Sequence, residues 1–405
     1  MQRRDFLKTA GLATGGALVS GTQARADHHL EALPLSGAMF RRQHGQIVLM
    51  GRGVNFSVSD NGGQSWSTPK PLVSDGEAVR ADGDVVGLLR LASGKVVLSY
   101  VRSRQDGTRR RQGIFLRTSA DDGHTWSGES TLTPFPDDDL SSLHASMVQL
   151  RSGRLVLPAY ARYSHDYPGR PRGLGSTWLP EYRITVILAS DDEGRTWQYS
   201  PGLHLWKDLG HGGLVGCGEA NVVETKDGRL MMLASTTNMR MVSSYSSDGG
   251  ETWSYVDLND LSTSDAPLRL VRNPQTDDLL LVWNQVTARE HRDGFGRGRL
   301  SMAVSRDSGK TWEDFTSLAT SPGMERVARV VDTEPPGFVR EGENMLPGQV
   351  PDNAMGGIVC STRPNVSFLE GEVLIDYRRW FIPNLWASES ERQEITQAVH
   401  VLPTA

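Results

Sequence analysis

The sequence predicts an all-β fold, a six-bladed β-propeller of four-stranded antiparallel blades spanning residues 27–405. Three observations carry that expectation. A turn motif recurs five times, a strand motif recurs six times, and a repeat length near 60 residues nearly exhausts the chain.

The turn motif reads S-x-D-x-G-x-T-W. It runs as SADDGHTW to Trp126, SDDEGRTW to Trp197, SSDGGETW to Trp253 and SRDSGKTW to Trp312, with a degenerate SDNGGQSW ending at Trp66. Its polar anchors are Asn61, Asp121, Asp192, Asp248 and Asp307. Successive motif tryptophans lie 60, 71, 56 and 59 residues apart and use half of the ten tryptophans, so the motif marks architecture. A hairpin turn explains it: Asp or Asn caps backbone amides, Gly supplies positive φ, and Thr-Trp begins the return strand with the indole packed over the turn.

The strand motif is a tight turn followed by a near-continuous apolar run. It reads QHGQIVLM (43–50), ASGKVVLSY (92–100), RSGRLVLPAY (151–160), KDGRLMMLAS (226–235), QTDDLLLVWN (275–284) and LEGEVLIDYR (369–378). Runs of this kind imply strands covered on both faces, as in sheets stacked radially. The Pro- and Gly-rich stretch at 335–357 is the longest interruption and reads as an insertion over one face.

Gln2-Arg3-Arg4-Asp5-Phe6-Leu7-Lys8, a small apolar stretch and Ala24-Arg25-Ala26 resemble a twin-arginine export signal over residues 1–26, so the expected location is periplasmic or secreted, with the twin-arginine machinery as a partner. Removing it takes away Arg3, Arg4, Lys8, Arg25 and Asp5 and moves the net charge from −5 to −8. That acidity disfavours nucleic acid as a partner. The rest of the chain has no 18-residue apolar window for a membrane span. Two cysteines, Cys217 and Cys360, are too few for a disulfide scaffold or thiolate metal cluster, and a blade between them argues against pairing.

In a propeller the functional face is where each blade's first strand opens near the axis. The opening segments GDVVGLLRL (83–91), LHASMVQL (143–150), GEANVVET (218–225), SDAPLRLV (264–271) and RPNVSFL (363–369) bring Asp84, His144, Glu219, Asn221, Asp265 and Arg363 toward one mouth. Each of these polar residues can equally be meeting solvent at a strand end.

Five turn motifs on six predicted blades resemble the sialidase (neuraminidase, BNR-repeat) superfamily over the mature chain, and in that family the motif is the Asp-box. The resemblance implies hydrolysis of an acidic glycan: three arginines grip the substrate carboxylate, a tyrosine replaces the usual carboxylate nucleophile, a Glu takes its proton, and an Asp is acid/base. Glu219, in GEANVVETKDGRLMML, matches the tyrosine-activating Glu. The arginine expected after the next strand is replaced by Leu233-Ala234-Ser235, with Arg240 the nearest substitute; Arg297 or Arg299 and Arg363 are further carboxylate candidates. The family's F-R-I-P appears as Phe40-Arg41-Arg42-Gln43, which nominates Arg41, and the shortened first blade leaves no room for the usual Asp loop. Arg363-Pro364-Asn365 stands where the tyrosine is expected, and Tyr377 lies one strand further on.

Three functional readings fit these residues. In a sialidase-type glycoside hydrolase, Glu219 is the base, Tyr377 or another tyrosine the nucleophile, Asp84 a further catalytic candidate, and Arg41, Arg240, Arg299, Arg363, Asn221 and Asp265 bind substrate. In a polysaccharide lyase or other histidine-dependent enzyme, His144 abstracts a proton beside a uronate carboxylate neutralised by Arg. In a glycan-binding propeller, the loops at 160–182 and 284–299, rich in aromatic and basic residues, hold sugars without turnover. No cofactor motif is evident; Asp137-Asp138-Asp139 is a weak calcium candidate that reads more simply as a solvated acidic turn.

Overall fold

The computed structural model describes residues 33–82, 86–106, 109–132, 140–141, 146–163, 182–200, 205–207, 214–236, 239–264, 266–292, 295–331, 358–369, 372–382 and 393–403. The expected leader at 1–26, the acidic run at 137–139 and the expected insertion at 335–357 lie outside these residues.

The chain builds antiparallel sheets in order. The first comprises β1 (Gly37–Arg41), β2 (Ile47–Gly51), β3 (Asn55–Ser59) and β4 (Lys70–Pro71), followed by a small β5 (Val73–Ser74)–β6 (Glu77–Ala78) ladder. The second is β7 (Val86–Arg90), β8 (Val96–Asp106), β9 (Arg109–Ser119) and β10 (Ser130–Thr131). The third joins β11 (Leu140–Ser141) and β12 (Val148–Gln149) to β13 (Leu155–Tyr163), β14 (Tyr182–Ser190) and β15 (Gln198–Tyr199). The fourth is β16 (Leu205–Lys207), β17 (Leu214–Glu224), β18 (Leu230–Thr236), β19 (Arg240–Ser246) and β20 (Asp257–Ser262). The fifth is β21 (Arg269–Arg272), β22 (Leu279–Asn284), β23 (Arg299–Ser305) and β24 (Glu313–Thr320), with the short helix α1 (Ala288–Arg292) between its middle strands. A final sheet has three strands, β25 (Ile358–Leu369), β26 (Glu372–Ile382) and β27 (Gln393–Pro403).

The fold is therefore a β-propeller, and the expected blade number is corrected: among the described residues five blades have four or five strands, not six. The C-terminal sheet has three and sits between the fifth blade and the first, where β25 packs on β21, β22, β23 and β1.

The apolar runs behave as their composition demands. Every residue of β2, β18 and β22 is buried, because each second strand is sandwiched between neighbouring blades. Leu116, Ile114, Leu155 and Leu188 join the second blade to the third; Val222, Met232 and Ile187 join the third to the fourth; Leu233, Leu281 and Trp283 join the fourth to the fifth. Each such Leu or Ile stabilises by roughly 1.5–3 kcal/mol. The Trp283 indole is fully enclosed and its Nε1 donates to the Ser262 carbonyl at 2.9 Å, so its polar edge is satisfied too.

The Asp-boxes close the β3–β4 type of turn in each full blade. In the third blade Asp192 Oδ1 accepts from the Thr196 amide at 2.9 Å and Oδ2 from the Thr196 hydroxyl at 2.6 Å, while Trp197 Nε1 donates to the Gly194 carbonyl at 3.1 Å. Two successive residues have positive φ, Glu193 at 58° and Gly194 at 85°, the requirement of a hairpin turn with mirror-image geometry. In the degenerate box Asn61 makes the same contacts, accepting from the Ser65 amide at 2.9 Å and donating to its hydroxyl at 2.8 Å.

The first turn of a blade reaches the next blade's box. Arg42 donates to the Asp122 and Gly123 carbonyls at 3.0 and 2.9 Å, Lys95 pairs with Glu193 at 2.7 Å, and Arg154 pairs with Asp191 and donates to the Gly249 carbonyl at 3.1 Å. These links define one face of the ring. The openings of the inner strands define the other.

Candidate functional site

Two inner strands carry the same irregularity at the mouth. In β17 the register with β18 slips between Gly218 and Asn221, and in β25 the register with β26 slips between Thr362 and Asn365. The residue inside each bulge is left-handed: Glu219 at φ 57° and Arg363 at φ 55°. Non-glycine residues in this region cost on the order of 1–3 kcal/mol, and such strain collects where a side chain must be aimed.

An asparagine two residues beyond each left-handed position extends the match. The Asn221 side chain donates to the Leu268 carbonyl at 3.1 Å and accepts from the Leu270 amide at 3.2 Å, tying the fourth blade to the fifth. Asn365 donates to Ser36 Oγ at 3.2 Å and Asp376 Oδ2 at 3.1 Å, tying the C-terminal sheet to the segment that leads into β1. Asn221, expected to bind substrate, is thus a fully buried inter-blade clasp, its amide committed to backbone.

Glu219 is almost wholly enclosed, with only 7% of its surface accessible. Arg363 is half-buried and its guanidinium lies 5.8 Å from the Trp380 ring centroid; Arg378 lies 4.6 Å from the same ring. One indole lies against both guanidiniums and orients both cations. Nearby, Asp376 is buried on β26, and removal from water pushes its pKa up to about 7 against the hydrogen bonds from Ser36 and Asn365. Arg269, at the opening of β21, is lowered to about 10 by burial, with the Asp376 charge opposing the shift.

The remaining expected residues fall into three groups. Arg240 opens β19 at the mouth end and donates to the Met239 carbonyl at 3.0 Å and Ser262 Oγ at 3.4 Å. Arg299, Tyr377 and Arg41 are corrected by their surroundings. Arg299 is fully buried, pairs with both Glu290 oxygens at 3.0 and 2.6 Å and donates to the Gln285 and Glu325 carbonyls, so no edge of its guanidinium faces a ligand. Tyr377 is 2% exposed among Val282, Leu300 and Ile375, and burial pushes its phenol up to about 12, the wrong direction for a nucleophile. Arg41 ends β1 at the Asp-box face, where it donates to the Gly45 carbonyl; β1 opens at the mouth with Ser36 and Gly37 instead. Asp84, His144 and Asp265 lie outside the described residues, as does the Cys217 side chain; Cys360 is buried beside Phe295 and Ile358.

Sequence reasoning missed Asp376, Arg269, Asn365 and Trp380. A signal for the first was present: a carboxylate inside the otherwise apolar run Leu374-Ile375-Asp376-Tyr377 has no solvated position in a covered strand.

Comparison with known proteins agrees with the fold. The BNR repeat-like domain family matches residues 53–350. The chain belongs to that family. Among solved structures, a protein of unknown function from Dyadobacter fermentans superposes with a TM-score of 0.60 at 15% identity, covering 93% of this chain and 98% of that one. A Hadza microbial sialidase gives 0.54 at 17% identity, covering 91% of this chain and 65% of its own, so this BNR-repeat chain spans just under two thirds of that enzyme's length. A leech intramolecular trans-sialidase complexed with 2,7-anhydro-Neu5Ac gives 0.54 at 14% identity, covering 100% of this chain and 72% of that one. At these identities the likeness is one of fold. No curated protein sequence matches this BNR-repeat chain.

Proposed function

We propose that this protein is a sialidase-type glycoside hydrolase acting on an acidic glycan, with Glu219 as general base and Arg363 holding the substrate's anionic group. The observation that carries the reading is the left-handed, enclosed Glu219 in the bulge of β17, a strained backbone that presents a carboxylate at the propeller mouth. Arg363 in the matching bulge of β25 supports it, since a guanidinium steadied on an aromatic ring suits a carboxylate.

With Tyr377 enclosed, the nucleophile in this reading is water. Glu219 takes its proton as the oxygen bonds to the anomeric carbon, and the glycosidic oxygen departs with a proton from an acid, for which Asp84 and His144 are the candidates. Incubation with a fluorogenic sialoside and a panel of uronate polymers tests this. Release of the sugar by the wild type and its loss in Glu219→Gln support hydrolysis; an ultraviolet-absorbing unsaturated product, lost in a His144→Ala variant, would replace it with lyase chemistry.

The twin-arginine-like pattern of residues 1–26 supports export in the folded state, so the substrate would be met outside the cytoplasm. A mature N-terminus near residue 27 in the exported protein is the expected mass-spectrometric result.

A further inference from the structure

Arg269 is the first residue of β21 and is half-buried there. Leu270, and Leu268 just before the strand, pack toward the fourth blade with Val223 and Leu233, so alternation along the strand turns Arg269 the other way, toward the C-terminal sheet. The charge of Asp376 on that sheet reaches it. Yet among the described residues the Arg269 side chain makes no hydrogen bond and no ion pair, and its Nε is buried without an acceptor. Arg299, two strands along in the same blade, is the contrast: both Glu290 oxygens and two carbonyls account for its guanidinium. Asp376 does not supply the missing partner, because Ser36, Asn365 and the Gly37 amide already hold its carboxylate.

Contacts on both flanks fix where this cation stands. The Asn221 side chain grips the backbone on either side of it, donating to the Leu268 carbonyl at 3.1 Å and accepting from the Leu270 amide at 3.2 Å, and Asn221 lies two residues beyond Glu219. On the other flank, Arg269 is paired in register with Val282, Val282 packs with Tyr377, and Tyr377 lies opposite the slip in β25 that holds Arg363. Arg269 therefore stands between the two bulged strands, with β17 on one side and β25 on the other. A guanidinium drawn out of water without a partner is costly, and a native fold that keeps one leaves a place for the anion that completes it.

We propose that Arg269 binds an oxyanion at the propeller mouth, and that this anion is the carboxylate of the acidic glycan. This deepens the hydrolase reading and rests on it for the identity of the anion. Arg269 is none of the arginines that the sequence nominated. A carboxylate offers two oxygens to a planar guanidinium and supplies the charge that the protein itself leaves out. Because Asn221 clasps the backbone on both sides of Arg269, the cation is held in place before the ligand arrives.

Stability and binding together supply the test. Melting temperature and calorimetric affinity are measured on the intact chain for the wild type, Arg269→Met and Arg269→Lys. The probes are free sialic acid, galacturonate, the methyl ester of each, and sodium sulfate at matched ionic strength. The expected result is that one of the two acids raises the wild-type melting temperature and its uncharged ester does not. Affinity for that acid should weaken at least about tenfold in Arg269→Met and less in Arg269→Lys, which keeps the charge. Without ligand, Arg269→Met should melt at or above the wild type, since an unpaired buried charge is gone. A clear fall in that ligand-free melting temperature, unchanged affinity in Arg269→Met, an equal shift by the ester, or no shift by either acid would overturn the proposal. A sulfate shift as large as the acid's would overturn the assignment to the glycan. None of these readouts uses turnover, so failure of this proposal and failure of the hydrolase reading are separately visible.

Discussion

Ser36 Oγ donates to the Asp376 carboxylate at 2.6 Å across 340 positions of sequence. This contact joins the segment leading into the first strand to the C-terminal sheet, and Asn365 and the Gly37 amide complete the carboxylate's shell. The ring is thus closed by one buried acid, with Leu33, Leu49 and Leu374 packed around the same seam.

Closure should depend on pH. Burial raises Asp376 from its ordinary 3.8 to about 7, so between these values the folded protein holds a proton that the unfolded chain releases. Stability from this group is fully present below pH 4 and is lost as pH rises through 7. In Asp376→Asn the stability measured by urea unfolding should fall less between pH 4 and 8, by up to about 4 kcal/mol. Parallel pH profiles for the two proteins would contradict the assignment.

The Asp-boxes should show the opposite sign. Hydrogen bonds from Thr196, first its hydroxyl and then its amide, hold Asp192 down to about 2, so its contribution is present above the ordinary carboxylate value and disappears as pH falls through 2. Asp192→Ala is expected to lose about 1–2 kcal/mol at pH 7 by urea unfolding, and progressively less at lower pH.

Arg299 should behave as a structural ion. Arg299→Met leaves the half-buried Glu290 without its partner and should cost about 2–4 kcal/mol. Adding Glu290→Gln should recover part of that loss in the same denaturation assay, which a ligand-binding arginine would not do.

Strain and binding should separate at Arg363. A glycine tolerates φ 55° without penalty, so Arg363→Gly should keep or raise the melting temperature while weakening inhibition by free sialic acid at least tenfold. A clear fall in stability with unchanged inhibition would remove Arg363 from the site.

The periodic part of the molecule was legible because it is local. Each Asp-box writes its own turn in eight residues, and each buried second strand announces itself as an apolar run. The short C-terminal sheet was not legible, since its pairing joins distant segments that no local pattern couples. At the site, Glu219 stands out in the sequence by its place at a strand opening and by the sialidase resemblance, and Arg363 by its place at a strand opening; what the sequence does not show is the left-handed bulge that each occupies. Which groups an arginine meets could not be read: Arg299 and Arg363 look alike in sequence, yet one is paired with Glu290 and the other lies against the Trp380 ring. Tyr377 misled for the same reason, as its neighbours across the blade interface are remote in sequence.

The central claim rests on Glu219. Release of sialic acid from a fluorogenic sialoside by the purified protein, compared with Glu219→Gln, tests it most directly. The account predicts turnover by the wild type and a loss of about 10²–10⁴-fold in the variant at unchanged melting temperature. Full activity in the variant, or no release by the wild type, would contradict it.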